Sequence, residues 1–116
     1  MIINILVSKF NTVVIDPTVT INSGVVNGYT AHFEFQEQWN STLKLFAVFK
    51  PVNDVPISIA LDENNNCVIP SQIYKRFAKL GIGIKGITKD ERGNIIDLVA
   101  TNLFYIPIKN SGINQE

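Results

Sequence analysis

The sequence predicts a mostly β fold, an antiparallel β-sandwich of Ig-like or open-barrel form with one short helical insertion. Three observations predict it. Apolar and polar residues alternate with period two in several short runs. The apolar residues are skewed towards Ile, Val and Phe, with one Met and one Trp, a bias that suits strands. Clusters of Asn, Asp, Gly and Pro separate the runs as turns would.

Length and charge narrow the class. A chain of 116 residues suits one domain, and folding at this size buries roughly two-thirds of the surface an unfolded chain exposes. Residues 1–109 are expected to form that domain, with the polar stretch 110–116 as a tail or the start of a linker. Ten basic residues balance ten acidic ones, so no general attraction draws the chain to nucleic acid or an anionic membrane. Cys67 is the only cysteine, which rules out an intrachain disulfide and fits a reducing compartment. It lies in an apolar run without a basic neighbour and reads as a small buried apolar residue.

The first element is Ile2-Ile3-Asn4-Ile5-Leu6-Val7. It has no basic flank or small-residue cleavage site of a secretion signal, and it is far shorter than the ~20 apolar residues of a membrane span. It reads as a strand, and no membrane insertion is expected. In Tyr29 to Phe35, residues Tyr29, Ala31, Phe33 and Phe35 share one face and Thr30, His32 and Glu34 the other, a half-buried strand. Leu43 to Lys50 differs: Leu45, Ala47 and Phe49 point one way, and Phe46 and Val48 the other. Both of its faces therefore need covering, one by the core and one by a helix, a loop or a partner chain.

Residues 51–56, with a proline at each end, form a loop before the alternating strand Ile57 to Leu61. Asp62-Glu63-Asn64-Asn65-Asn66 predicts a turn, and with Cys67-Val68-Ile69 after it, a hairpin. Pro70-Ser71 then opens a helix of one to three turns, because Ile73, Phe77 and Leu80 lie at helical spacing. Alternation returns through Ile82 and Ile84. Asp90 to Asn94 turns the chain into Ile95 to Val99, and Leu103 to Ile108 is the last strand, where Pro107 argues for an edge or a bulge.

Apparent chemical motifs resolve into structural ones. Gly81-Ile82-Gly83-Ile84-Lys85-Gly86 has the G-x-G-x-x-G spacing, but the helix precedes it and a strand follows, the reverse of a phosphate-binding turn. Close packing explains its glycines. Asp62, Asn64 and Asn66 mimic the start of a calcium loop but lack its glycine and its final Glu, position 73 being Ile. His32 and Glu34 lie side by side without a nucleophile or metal partner, so they read as a solvated face. Lys75, Arg76 and Lys79 form a small basic patch on the helical segment. Asn40-Ser41-Thr42 fits a glycosylation acceptor but carries little weight without a secretion signal. No catalytic residue, cofactor or metal is expected, and no enzyme.

One ordered set of residues is more specific. Phe33-Glu34-Phe35-Gln36-Glu37-Gln38-Trp39-Asn40 precedes Leu43-Lys44 and Ala47-Val48-Phe49. Leu61-Asp62 follows, then Cys67-Val68-Ile69-Pro70 and Gly83-Ile84-Lys85-Gly86. This order resembles the N-terminal domain of baseplate and tail-fibre proteins of bacteriophages of Gram-positive hosts, including the baseplate upper protein type. In that family an F-x-E-x-W element leads to a strand ending A-V-F. A leucine-aspartate turn, a C-x-[IV]-P step, a short helix and a strand ending V-G-V-x-G then follow.

The resemblance covers residues 29–108. It implies a non-catalytic β-sandwich module that docks or connects tail-fibre or receptor-binding components in the virion tail, made in the host cytoplasm. Its partners would be other tail or baseplate proteins and further copies of itself, with no nucleic acid. The family usually continues into a linker or coiled coil and a receptor-binding region, whereas this sequence stops soon after its last strand, so it reads either as one domain of a longer protein or as a short member that only connects. On this reading Trp39, Glu37, Phe35, Phe49, Pro70 and Gly86 are structural anchors, and Phe46 and Val48 an interface. Trp39 is a large core anchor whose indole N–H needs a partner, and Glu37 is placed to accept it or to cap the adjoining turn. The alternative is a carbohydrate-binding module recognising host-wall saccharide, for which Tyr29, Tyr74 and Tyr105 are the candidate rings.

Overall fold

A computed structural model describes residues 1–26, 28–74 and 78–109. Its strands are β1 Ile2–Val7, β2 Val13–Ile15, β3 Ile21–Asn22, β4 Thr30–Phe35, β5 Lys44–Pro51, β6 Ile57–Ala60, β7 Asn66–Val68, β8 Lys79–Lys89, β9 Ile95–Ala100 and β10 Phe104–Lys109. The smaller sheet runs β2-β1-β4-β7, and the larger runs β3-β10-β8-β5-β6 with β9 also on β8. They form the sandwich that the alternation predicts.

The inner faces are the ones the period-two pattern marks. Ile3, Ile5 and Val7 of β1 and Ala31 and Phe33 of β4 are buried, as are Ala47 and Phe49 of β5, Leu80, Ile82 and Ile84 of β8, and Ile106 of β10. They make one continuous core. Each large side chain withdrawn from water there contributes roughly 1.5–3 kcal/mol, which is how a chain of this size holds two sheets together.

The sheets are mixed rather than purely antiparallel. β1 pairs with β4, and β3 with β10, in parallel, whereas the other pairs are antiparallel. A parallel pair needs a long crossover. The chain between β1 and β4 supplies one: it first adds β2 to the small sheet, then places β3 beside β10 in the larger sheet, and returns as β4.

β8 organises the larger sheet. Along one edge it pairs with β5 from Lys44↔Ile87 to Pro51↔Leu80. Along the other it meets β10 in its first half and β9 in its second. At the junction Thr101 N–H donates to Ile84 O at 3.0 Å, and Ile84 N–H donates to Thr101 Oγ1 at 3.1 Å. β9, exposed along nearly its whole length, and the end of β8 beyond Ile87, where its pairing with β5 stops, form an arm on a molecule measuring 49 × 29 × 24 Å.

Two local expectations change, the hairpin at 62–69 and the helical placing of Leu80, while the short helical insertion forms. The turn at 62–66 forms, but it does not close a hairpin: β6 pairs with β5 in the larger sheet, and β7 with β4 in the smaller. The turn carries the chain between the layers, from β6 at one edge of the larger sheet to β7 at one edge of the smaller. The helical insertion is one 3-10 turn, Ser71–Ile73. Leu80 lies fully buried in β8, so its helical spacing from Ile73 is coincidental. Phe77, with Lys75 and Arg76 of the basic patch, lies outside the described residues, as does the tail 110–116.

Pro107 sits within the larger sheet, since β10 lies between β3 and β8. Ile108 N–H donates to Ala78 O at 2.9 Å, so the alternation of the strand turns the Pro107 nitrogen away from β8. β3 pairs only at Ile108 and Lys109. Pro107 therefore occupies a local edge, where a missing N–H costs no ladder bond.

Candidate interaction surface

The two-sided strand β5 leads to the surface. Its inner residues Ala47 and Phe49 are fully buried, while Phe46 and Val48 on the outer side are half-buried. The connector 101–103 lies against Gly83, the residue opposite Val48. Register extends this outer face sideways: Phe46 stands opposite Ala60 of β6 and Lys85 of β8, Val48 opposite Ser58 and Gly83, and Lys44 opposite Ile87. From β9, Leu98 stands opposite Ile87 and Ala100 opposite Lys85.

Two shallow hollows indent the face. One lies among Lys44, Phe46, Ile87 and Lys89, the other among Val48, Lys50, Ser58, Lys85 and Leu103. The Lys44 ammonium sits 5.6 Å from the centre of the Phe46 ring, a cation–π contact worth about 0.5–1 kcal/mol where exposed. On the arm, Ile95, Ile96 and Leu98 are each more than half exposed.

The glycines of β8 keep this sheet thin. A Cβ on Gly83 would lie 2.8 Å from Asn102 O, and one on Gly81 would lie 2.9 Å from the Tyr105 ring. On the inner side a Cβ on Gly86 would lie 3.1 Å from Leu43 and 3.2 Å from the Trp39 ring. The G-x-G-x-x-G spacing thus lies wholly within a strand.

Trp39 is a rim residue rather than a fully buried one. It meets Phe35 edge-on at 5.2 Å between ring centres. Its indole N–H donates to Asn11 Oδ1 at 3.2 Å, so Asn11 and not Glu37 is its partner; Glu37 is exposed. Pro70 is half-buried and begins the 3-10 turn, with its carbonyl accepting Ile73 N–H at 3.2 Å. Phe35, Trp39, Leu43 and Leu45, with Gln38, Asn40, Glu63 and Asn65, line a small open hollow at this end of the sandwich.

The other candidates are structural in their surroundings. His32 Nε2 lies 3.7 Å from Glu34 Oε1, and His32 Nδ1 hydrogen-bonds Asn66 Oδ1. Among the described residues no group of three or more His, Cys, Asp or Glu is placed to hold a metal. Cys67 is buried, and burial, with a smaller effect of the Asp62 charge, pushes its thiol up to about 11. The protonated thiol behaves as an apolar group.

Asp62 Oδ1 accepts N–H bonds from Asn64 and Asn66, both at 2.9 Å, so the calcium-like spacing is a self-satisfied turn. Asn40 Oδ1 accepts Thr42 N–H at 3.0 Å in a similar local turn. Of the tyrosines, Tyr29 and Tyr74 are buried and packed edge-to-face at 5.8 Å. The Tyr29 hydroxyl accepts Asn22 N–H at 2.8 Å, and that of Tyr74 donates to Val25 O. Only Tyr105 is exposed, which leaves a sugar-binding platform with one of its three proposed rings.

The chain shares the fold of a phage protein's N-terminal domain. That structure, the N-terminal domain of ORF48 of phage TP901-1, matches 93% of this chain and 98% of its own length, with a TM-score of 0.60 and 15% sequence identity. No family model and no curated protein matches the sequence. The likeness to the ORF48 domain is one of fold, and it spans both sheets. It agrees with the sandwich that the ordered motifs of residues 29–108 imply.

Proposed function

We propose that this chain is a non-catalytic structural module of a bacteriophage tail or baseplate, which docks or connects fibre or receptor-binding components. The observation that carries the reading is the fold shared with a phage protein's N-terminal domain over nearly the whole of both chains. The motif order from Phe33 to Gly86 points the same way. The half-buried Phe46 and Val48 fit a docking role, because a partly exposed apolar strip on a small domain is stabilised by a partner. Copies associate along the free edge of β9, and the module works in the virion tail after synthesis in the host cytoplasm.

The test is direct. Light scattering on the purified chain, combined with pull-downs against individually purified tail and baseplate proteins, should yield a multimer and at least one tail partner. A strictly monomeric protein that binds none of them would sink the proposal. His32→Ala should leave partner binding intact.

A further inference from the structure

The balanced composition conceals a segregated charge distribution. Lys44 and Lys50 of β5 and Lys85 of β8 fall on the outer side of the larger sheet by register, Lys79 of β8 by alternation, and Lys89 shares a hollow there with Lys44, Phe46 and Ile87. These are five of the chain's ten basic residues. No acidic residue shares that side of the strands: Asp97 stands opposite Thr88, on the other side. Among the described residues the one acid–base side-chain contact within 4.0 Å is His32 with Glu34, so no carboxylate pairs with these lysines. Between them lie Phe46, Val48 and Ile87.

An apolar centre ringed by uncompensated cations is the arrangement of a protein interface, with a dry middle and a charged rim that sets register and partner. A second copy seated face to face is a poor occupant. A two-fold pairing would set lysine against lysine, and the acidic residues of this chain are scattered through turns such as 62–63 and 90–91 rather than gathered on a matching face. Nucleic acid is also a poor fit. The centre offers Val48 and Ile87 with a single phenyl ring, where strand-binding proteins present several stacking aromatics.

We propose that the outer face of the larger sheet docks a different protein through that partner's acidic-rimmed apolar surface, seated over Phe46, Val48 and Ile87 and held by Lys44, Lys50, Lys85 and Lys89. The inference rests on the tail-module reading and adds the chemistry of the partner. Its consequence is a salt-sensitive contact, because rim charges steer association and are screened within about 8 Å at physiological ionic strength.

The experiment uses the whole chain and a Lys44→Glu/Lys85→Glu variant, with folding verified by circular dichroism and thermal melting. The probes are the proteins encoded beside this chain's gene, each purified, a twenty-nucleotide thymidine oligonucleotide, and vesicles of anionic lipid. One neighbouring protein should bind, more weakly as salt is raised, and the variant should lose about tenfold or more of that affinity. Lys85→Arg should keep it.

Undiminished binding by the charge-reversed variant would overturn the proposed surface while leaving the docking role standing. Absence of binding by every neighbouring protein would overturn both. Lysine-dependent binding of the oligonucleotide or vesicles, with no protein bound, would also overturn the proposal.

Discussion

At the scale of single residues, the glycines of β8 and the lone cysteine make the sharpest claims. A Cβ at position 83 meets a backbone oxygen at 2.8 Å, and backbone cannot move aside cheaply; at position 86 it meets the side chains of Leu43 and Trp39 at 3.1–3.2 Å, which can shift by a few tenths of an ångström. Gly83→Ala should therefore destabilise by about 2–3 kcal/mol and Gly86→Ala by about 1 kcal/mol, as measured by urea unfolding. Equal losses would contradict the distinction. For Cys67 the folded thiol holds its proton more tightly than the unfolded one. Its stabilising contribution is full below the ordinary thiol value of 9.0 and is lost as pH rises towards about 11. The melting temperature should fall between about pH 9 and 11, and Cys67→Ala should remove that part of the fall. At pH 8 a thiol reagent should label the native chain on the order of a hundredfold more slowly than the denatured one, from the thiolate fraction alone.

At the scale of elements, one turn occurs twice with different consequences. In 62–66 and in 90–94 an aspartate Oδ1 accepts the N–H groups two and four residues on. The fourth residue has positive φ in each, Asn65 at 61° and Gly93 at 83°. The second copy closes the β8–β9 hairpin; the first sends the chain across the sandwich. Asp62→Ala should lower global stability by about 1–2 kcal/mol, whereas Asp90→Ala should loosen the arm and leave the melting temperature nearly unchanged, as hydrogen exchange would reveal. Bonds from the backbone N–H groups, Asn94 foremost, hold the Asp90 carboxyl below its ordinary value of 3.8. The arm's contribution from this group is present above that value and is lost as pH falls through the lowered folded value. The same comparison explains what the sequence made legible. Turn chemistry is local, so both turns could be read from five residues; strand pairing is not, so the destination of β7 could not. β2 and β3 are three and two residues long, too short for periodicity to mark. Two-sided β5 was legible because both of its faces appear in eight consecutive residues. The Trp39 partner, 28 residues away at Asn11, and the gathering of lysines from β5 and β8 arise only from register and folding.

At the scale of the whole molecule, the remaining issue is how a neutral sandwich limits or uses its open edges. β2 and β7 offer three residues each and β6 four, and β6 follows Pro56. Short edges of this kind recruit little. β9 is six residues long, pairs only with β8, contains neither Lys nor Pro, and exposes Ile95, Ile96 and Leu98. Only Asp97 and a break in register at Thr88/Lys89 interrupt the row of unpaired backbone groups, and a net charge of zero supplies little general repulsion between copies. Antiparallel addition of β9 to β9 would continue the sheet across a two-fold axis perpendicular to it. That geometry sets the two lysine-bordered faces side by side on one side of the pair, free to meet a third protein, rather than pressing them together. Ile96→Lys with Leu98→Lys should shift the chain towards monomer in light scattering across a concentration series, while changing unfolding stability by no more than about 0.5 kcal/mol, since both side chains are already in water. An unchanged multimer would move self-association to another edge, and a large loss of stability would mean that these residues support the domain instead of joining copies.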